Sequence, residues 1–219
     1  MVEYVIVGTG GQAREIHVLL EALAADGHAI EMAGFLDDDP AKAGETIHGV
    51  PVVGSVDWLS GKDGMGVVIG IGSPPAKRDV VRRIGSLGDH VFPVLVHPSA
   101  TVGPRVDLGE GTIVGAGAVL TTDIQVGRHV LLNFGCTVGH DVAIEDFATV
   151  APGAHISGAV RIEEGADIGT GASIIQGLTI GAWSVVGAGA AVVRDVPAHT
   201  TVVGVPASVI ETRDSGDQA

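Results

Sequence analysis

The hydrophobic pattern divides this 219-residue chain into two regimes. Between residues 96 and 197 aliphatic positions recur every six residues without a break, giving 17 hexads. The first position of each is Val, Ile or Leu, from Val96 and Val102 through Leu132, Val138 and Ile144 to Val186 and Val192. The fifth position, from Ala100 to Val196, never holds a charge or an aromatic ring. A period of 3.6 would mark an amphipathic helix and a period of 2 a half-buried strand, and six is neither. It fits a short strand and a turn laid down as one flat face, with three faces closing a triangular coil of about 18 residues. First-position side chains then point inward and stack coil upon coil. At roughly 4.8 Å between stacked strands, five to six coils make a prism about 27 Å tall. The small fifth position is expected near a corner, and the glycine that often follows the first position, as in Gly103, Gly139 and Gly187, is expected to ease the coil through its conformational freedom. The register is expected to fail after Pro197, with VVGVPA as a cap and residues 211–219 as a polar tail.

Residues 1–95 carry no hexads. Val5, Ile6 and Val7 read as a buried strand, Gly8, Gly10 and Gly11 as a turn, and Ile16, Leu19, Leu20 and Leu23 as the apolar stripe of a helix. A second strand, MAGFLDDD, ends in carboxylates; a third, GVVIGIG, ends at Gly72 and leads to a helix near Pro75. This alternation predicts a small parallel α/β sheet of Rossmann-like type. A glycine-rich turn after a first strand can set backbone N–H groups and a helix N-terminus against a phosphate. Position 13 is Ala, however, so the full dinucleotide spacing is missing, and a plain tight turn fits equally well. Asp37 and Asp38 read either as contacts to a ribose or base edge or as a solvated strand end with a helix cap.

Composition narrows the function. A formal charge of −14 argues against nucleic acid or an anionic membrane as partner. The single cysteine, Cys136, excludes an intramolecular disulfide framework, and no ligand cluster suggests a metal. Cys136 occupies a fifth hexad position and reads as an inert core thiol. The first residues lack the basic and apolar regions of a signal peptide, and no apolar run is long enough to span a bilayer. A soluble cytoplasmic protein is the expectation. His97 reads as a junction residue, and His129, His155 and His199 as outward or terminal positions.

The hexads identify the chain as a member of the hexapeptide-repeat acyltransferases, which implies a left-handed parallel β-helix over residues 96–210. The order GTGGQARE, FLDDDP, VIGIGS, VHPSA and then hexads resembles the bacterial sugar acetyltransferases, across residues 2–210. These include nucleotide-4-amino-sugar N-acetyltransferases and sialic acid O-acetyltransferases. The resemblance implies an acetyl-CoA-dependent enzyme of bacterial glycan biosynthesis that needs no metal, works as a homotrimer and acetylates a nucleotide-linked 4-amino-sugar, UDP-linked by expectation. In LLNFGCTVGHDVAIEDF it implies His140 as general base, with Asp141 and Asn133 beside it. By the same resemblance Gly158, one coil on, would offer its N–H to the thioester. Thr149, Thr170, Gly187 and Ala188 would contact acetyl-CoA, although relatives often carry His at the Thr149 position. Thr9, Gly10, Gly11, Asp37, Asp38 and Gly72 would hold the nucleotide. Histidine suits the task on chemical grounds, because an attacking amine must lose a proton near neutral pH. Sialic acid O-acetylation remains a competing reading. Weaker alternatives are serine acylation, a metal-dependent β-helix enzyme and a non-catalytic scaffold.

Overall fold

The computed structural model describes residues 3–213, so the expected polar tail lies outside the described residues from residue 214 onward. The chain separates into two units: residues up to Gly72 together with Ala76–Pro93, and Ser73–Pro75 together with the chain from Val94 on.

In the first unit, strands β1 (Glu3–Val7), β2 (Glu31–Leu36), β3 (Thr46–Ile47), β4 (Val50–Gly54) and β5 (Gly66–Ile69) form one sheet in the order β3-β4-β2-β1-β5. All neighbouring pairs are parallel except the β3–β4 hairpin. The apolar run at Val5–Val7 is buried because β1 lies near the middle of the sheet. Helix α1 (Gly11–Ala25) covers it with the stripe read from sequence, Ile16, Leu19, Leu20 and Leu23, joined by Ala13 and His17. A Cβ on Gly70 would lie 2.6 Å from the Ala13 Cβ and 2.8 Å from the Val7 carbonyl oxygen, so a glycine at this strand end is what lets α1 come down onto the sheet. Strand β4 was not anticipated: it is short and contains Pro51, a residue that argues against an interior strand. Helix α2 (Pro74–Ile84) follows β5.

The second unit is a left-handed parallel β-helix with three faces. Strands of two or three residues stack in an 18-residue register: Leu131 pairs with Thr149 on the first face, Thr137 with His155 on the second, and Ala143 with Arg161 on the third. First-position residues fill the interior, and Val114, Leu132, Val150, Ile168 and Val186 are each 0 % exposed. Fifth positions also face inward. The column Ala118, Cys136, Ala154, Ala172 and Ala190 is buried at one corner, where the converging walls leave room only for small side chains. The second-position glycines have a different cause from the one expected. They do not adopt the left-handed conformation, which belongs to fourth-position residues such as Asp123, Asp141 and Ala159. They are glycine for want of space: a Cβ on Gly139 would stand 2.7 Å from the Gly158 nitrogen, and one on Gly169 2.7 Å from the Ala188 nitrogen. The prism also continues past Pro197. Thr200–Val203 adds a parallel strand to Val185–Val186, and Ser208–Thr212 closes the face antiparallel.

Candidate active site

His140 leaves the second face after Thr137–Val138, Asp141 makes the corner, and Ala143–Ile144 opens the third face. Asp141 is left-handed, with φ 59°, a conformation that aspartate tolerates better than most residues. Its Oδ2 lies 2.7 Å from His140 Nδ1. An ionised carboxylate only accepts, so Nδ1 carries the proton and Nε2 presents its lone pair. The imidazole lies across Gly158 of the next coil: a Cβ there would stand 2.6 Å from both Cε1 and Nε2. The His140 and Asp141 side chains are 66 % and 64 % exposed, which leaves Nε2 open to a substrate. Among the described residues the Gly158 N–H has no acceptor. The site therefore offers an oriented base and, one coil away, an uncommitted backbone donor.

Asn133 sits at another corner, after the first-face strand Leu131–Leu132, and its Oδ1 accepts from the Phe134 amide at 2.8 Å. The imidazole is oriented by Asp141. Thr149 is buried in the first face, in register with Leu131 and Asp167. Thr170, Gly187 and Ala188 gather at the corner between first and second faces, where the Gly189 amide donates to the Thr170 carbonyl at 2.8 Å. Gly158 and this trio thus occupy different corners of one prism. Cys136 is fully buried, and desolvation pushes its thiol up to about 12, so it is no nucleophile. His129, expected at an outward position, is instead buried at a corner with its ring stacked on Phe147 at 5.4 Å. His155 is exposed and pairs through Nδ1 with Thr137 Oγ1 at 2.9 Å, and His97 Nδ1 accepts from the Ser99 amide at 3.0 Å. Among the described residues no group of His, Cys, Asp and Glu could hold a metal ion, and no helix is long and apolar enough to cross a membrane.

In the first unit, the turn after β1, the first turn of α1 and the segment from Lys42 through β3 border an open cleft of about 310 Å³, lined by Thr9, Arg14, Lys42, Glu45, Thr46, Ile47 and His48. Gly10 caps α1 without a side-chain hydrogen bond, and a Cβ on Gly10 or Gly11 would meet nothing within 4 Å. The approach to the helix N-terminus is therefore open. Thr9 Oγ1 donates to Asp37 Oδ2 at 2.5 Å, and Asp37 Oδ1 accepts from the Asp39 amide. Asp38 has a structural job: it accepts from the Val56 amide at 3.1 Å and from Arg83, which also bridges to Asp57. Those hydrogen bonds, Asp57 foremost, raise the Arg83 guanidinium further above its ordinary range. Gly72 does not line the cleft.

The family model for the PglD N-terminal domain matches residues 3–84. Perosamine N-acetyltransferase from Caulobacter crescentus, solved as a histidine-to-asparagine variant with CoA and GDP-perosamine, is 34 % identical at a TM-score of 0.86, covering 96 % of this chain and 98 % of its own. The chain belongs to the hexapeptide-repeat sugar acetyltransferases. The acetyltransferase domain of PglB from Neisseria gonorrhoeae FA1090 is similar at 34 % identity and TM-score 0.86, covering 96 % of this chain and all of its own. WeeI from Acinetobacter baumannii AYE follows at 30 % identity and TM-score 0.85, again with 96 % and 100 % coverage. No curated protein sequence matches the chain. Sequence reasoning missed three residues of this acetyltransferase that the fold brings to one cleft: Arg14, Lys42 and His48. Arg14 lies only three residues beyond Gly11, so a cation in the first turn of a helix after a glycine-rich strand end was the signal available. Lys42 and His48 gave none, because their place depends on how the β3–β4 hairpin folds back.

Proposed function

We propose that the protein transfers the acetyl group of acetyl-CoA to the 4-amino group of a nucleotide-linked sugar, with His140 as general base. The observation that carries this is the Asp141–His140 pair, which fixes the imidazole tautomer and leaves Nε2 exposed beside Gly158. The amine nitrogen attacks the thioester carbonyl while Nε2 takes its proton. The oxyanion that forms is met by a backbone donor, for which the Gly158 N–H is placed. Collapse breaks the C–S bond, and the imidazolium returns the proton to the departing CoA sulfur. No covalent enzyme intermediate is needed. N- rather than O-transfer is supported by the Caulobacter relative, whose name gives it as an N-acetyltransferase.

The diphosphate of the acceptor lies at the open N-terminus of α1, with Arg14 and Lys42 supplying positive charge and Thr9, held by Asp37, the polar rim. UDP is the nucleotide expected from sequence, and the relative solved with GDP-perosamine makes GDP the other one to test. Thr170, Gly187 and Ala188 sit at a different corner from Gly158, so a single acetyl-CoA reaches both sets when prisms associate as a trimer.

Release of CoA thiol, followed across UDP- and GDP-linked 4-amino-sugars and free sialic acid, tests the reading. Turnover with an amino-sugar nucleotide, and a 10²- to 10⁴-fold loss in His140→Ala with the fold intact, are the expected results. Near-normal turnover of His140→Ala would remove the general-base assignment. Turnover with sialic acid alone would make the enzyme an O-acetyltransferase.

A further inference from the structure

At 15 of the 17 hexads the second position holds Gly, Ala or a polar residue. The two exceptions are Ile175 and Val193. Each is 41 % exposed, where the rest of the pattern keeps large aliphatic side chains inside. Both stand on the corner that carries His140. Thr137–Val138, His155–Ile156, Ser173–Ile174 and Ala191–Val192 stack in register on the second face, so the turns that follow them are stacked too. The turns are also tied to one another. The Ala159 amide donates to the His140 carbonyl at 2.8 Å and the Gly177 amide to the Gly158 carbonyl at 3.0 Å, while the Ile175 amide donates to the Val192 carbonyl at 3.2 Å. From His140 toward the C-terminal end, the third positions on this corner are therefore Gly158, Gln176 and Arg194. The last turn is the tightest, since Val196 already bridges to Ile180.

Arg194 differs from the other arginines of the second unit. Arg105 is committed to Asp123, Arg128 to Asp146, Arg161 to Glu145 and Arg213 to the Trp183 carbonyl. Arg194 is exposed and has no hydrogen bond or ion pair among the described residues. Its neighbour Asp195 is occupied elsewhere, accepting from the Thr179 amide at 2.8 Å. A free cation at the end of an apolar strip suits a molecule with an apolar arm and an anionic head. The other direction along the corner does not: before His140 come Thr121, Thr122 and Asp123, and the one arginine there is already bound to that carboxylate.

The lengths agree. Two coils at roughly 4.8 Å put Arg194 about 10 Å along the corner from Gly158. The pantetheine arm of CoA measures about 16 Å from sulfur to the first phosphorus when extended at ordinary bond lengths. With the thioester at Gly158, the arginine side chain spans the difference. The order of groups agrees as well. The dimethyl group of pantetheine sits next to the diphosphate, as Val193 sits next to Arg194.

We propose that the His140 corner continues as a binding strip for acetyl-CoA, with Ile175 and Val193 along the pantetheine arm and Arg194 holding the diphosphate. The inference rests on the reading that places the acetyl end at His140 and Gly158. It supplies what the cofactor residues expected from sequence lack, since none of Thr149, Gly158, Thr170, Gly187 and Ala188 carries a charge. A guanidinium fork matches phosphate oxygens in pairs, which an isolated amide does not.

The test is calorimetric binding of CoA, 3′-dephospho-CoA and pantetheine to the wild-type enzyme, Arg194→Gln and Ile175→Ser, with a thermal melt of each variant to confirm the fold. Arg194→Gln is expected to weaken CoA and 3′-dephospho-CoA alike by about five- to twenty-fold, less at high salt, and to leave pantetheine binding as it was. Ile175→Ser is expected to weaken all three by about three-fold. KM for acetyl-CoA rises in step, and KM for the acceptor does not. Wild-type affinity for CoA in Arg194→Gln, or an equal loss for pantetheine, overturns the anchor. A loss confined to CoA, with 3′-dephospho-CoA bound as in the wild type, overturns the diphosphate assignment in favour of the 3′-phosphate. Unchanged affinities in Ile175→Ser overturn the apolar strip. The general-base reading fails separately: an active His140→Ala removes the base and leaves the binding comparison standing, whereas an inactive His140→Ala beside normal CoA binding in Arg194→Gln removes only the anchor.

Discussion

Gly158 shows how a missing side chain can position a present one. The His140 ring occupies the space a Cβ at 158 would take, so Gly158→Ala has to push the imidazole away from its place. The backbone at 158 is not left-handed, and an alanine there carries no conformational penalty. Gly158→Ala is expected to lower kcat at least ten-fold while the melting temperature changes by no more than about 2 °C, as activity assays and thermal melts on the same preparation will show. Loss of stability with normal kcat would mean that the ring moves harmlessly. Cys136 makes the converse point, since here burial removes chemistry. A thiol-specific reagent is expected to find no reactive cysteine in the native enzyme and one after unfolding. Its folded pKa, about 12, lies above the unfolded thiol value near 8.5, so its contribution to stability is present below that value and lost as pH climbs toward 12. Denaturation midpoints should therefore decline above about pH 9, and Cys136→Ala should flatten that decline.

At the scale of elements, the two neighbouring carboxylates after β2 have separate tasks. Asp37 faces the Thr9 turn beside the cleft, whereas Asp38 ties the loop after β2 to Val56 and to Arg83 of α2. Asp38→Asn is expected to destabilise the first unit by about 1–2 kcal/mol, as measured by denaturant unfolding, with acceptor KM unchanged. Arg14→Ala and Lys42→Ala should instead raise acceptor KM several-fold, more so at low salt, with stability and acetyl-CoA KM unaffected. A rise in acceptor KM on changing Asp38 would return that residue to the binding site.

For the whole molecule, the arrangement of corners makes a strong demand. Gly158 lies beside His140 at one corner, Thr170 and Ala188 at another, and both sets are expected to serve one acetyl-CoA. Sedimentation equilibrium should give about three times the 22.0 kDa chain mass, and dilution to monomer should abolish turnover. An active monomer would require the cofactor residues at one of the two corners to be struck out.

The sequence by itself determined the stacked coils and their register between residues 96 and 197, because all 17 hexads carry an aliphatic residue at the first position. It also determined the first strand and helix of the α/β unit, whose apolar stripe is local. His140 and Asp141 were legible as neighbours in a matched motif. Only the tertiary structure decided what stands beside them: Gly158, one coil on, lies against the ring. That contact joins residues 18 apart, and what relates them is the height of a coil. The same holds for Lys42 and His48 at the cleft, for the buried stack of His129 on Phe147, and for the second-position glycines, whose cause is a backbone one coil away. Periodicity along the chain can be read from a sequence, whereas proximity across stacked coils is settled only when the register brings the surfaces together.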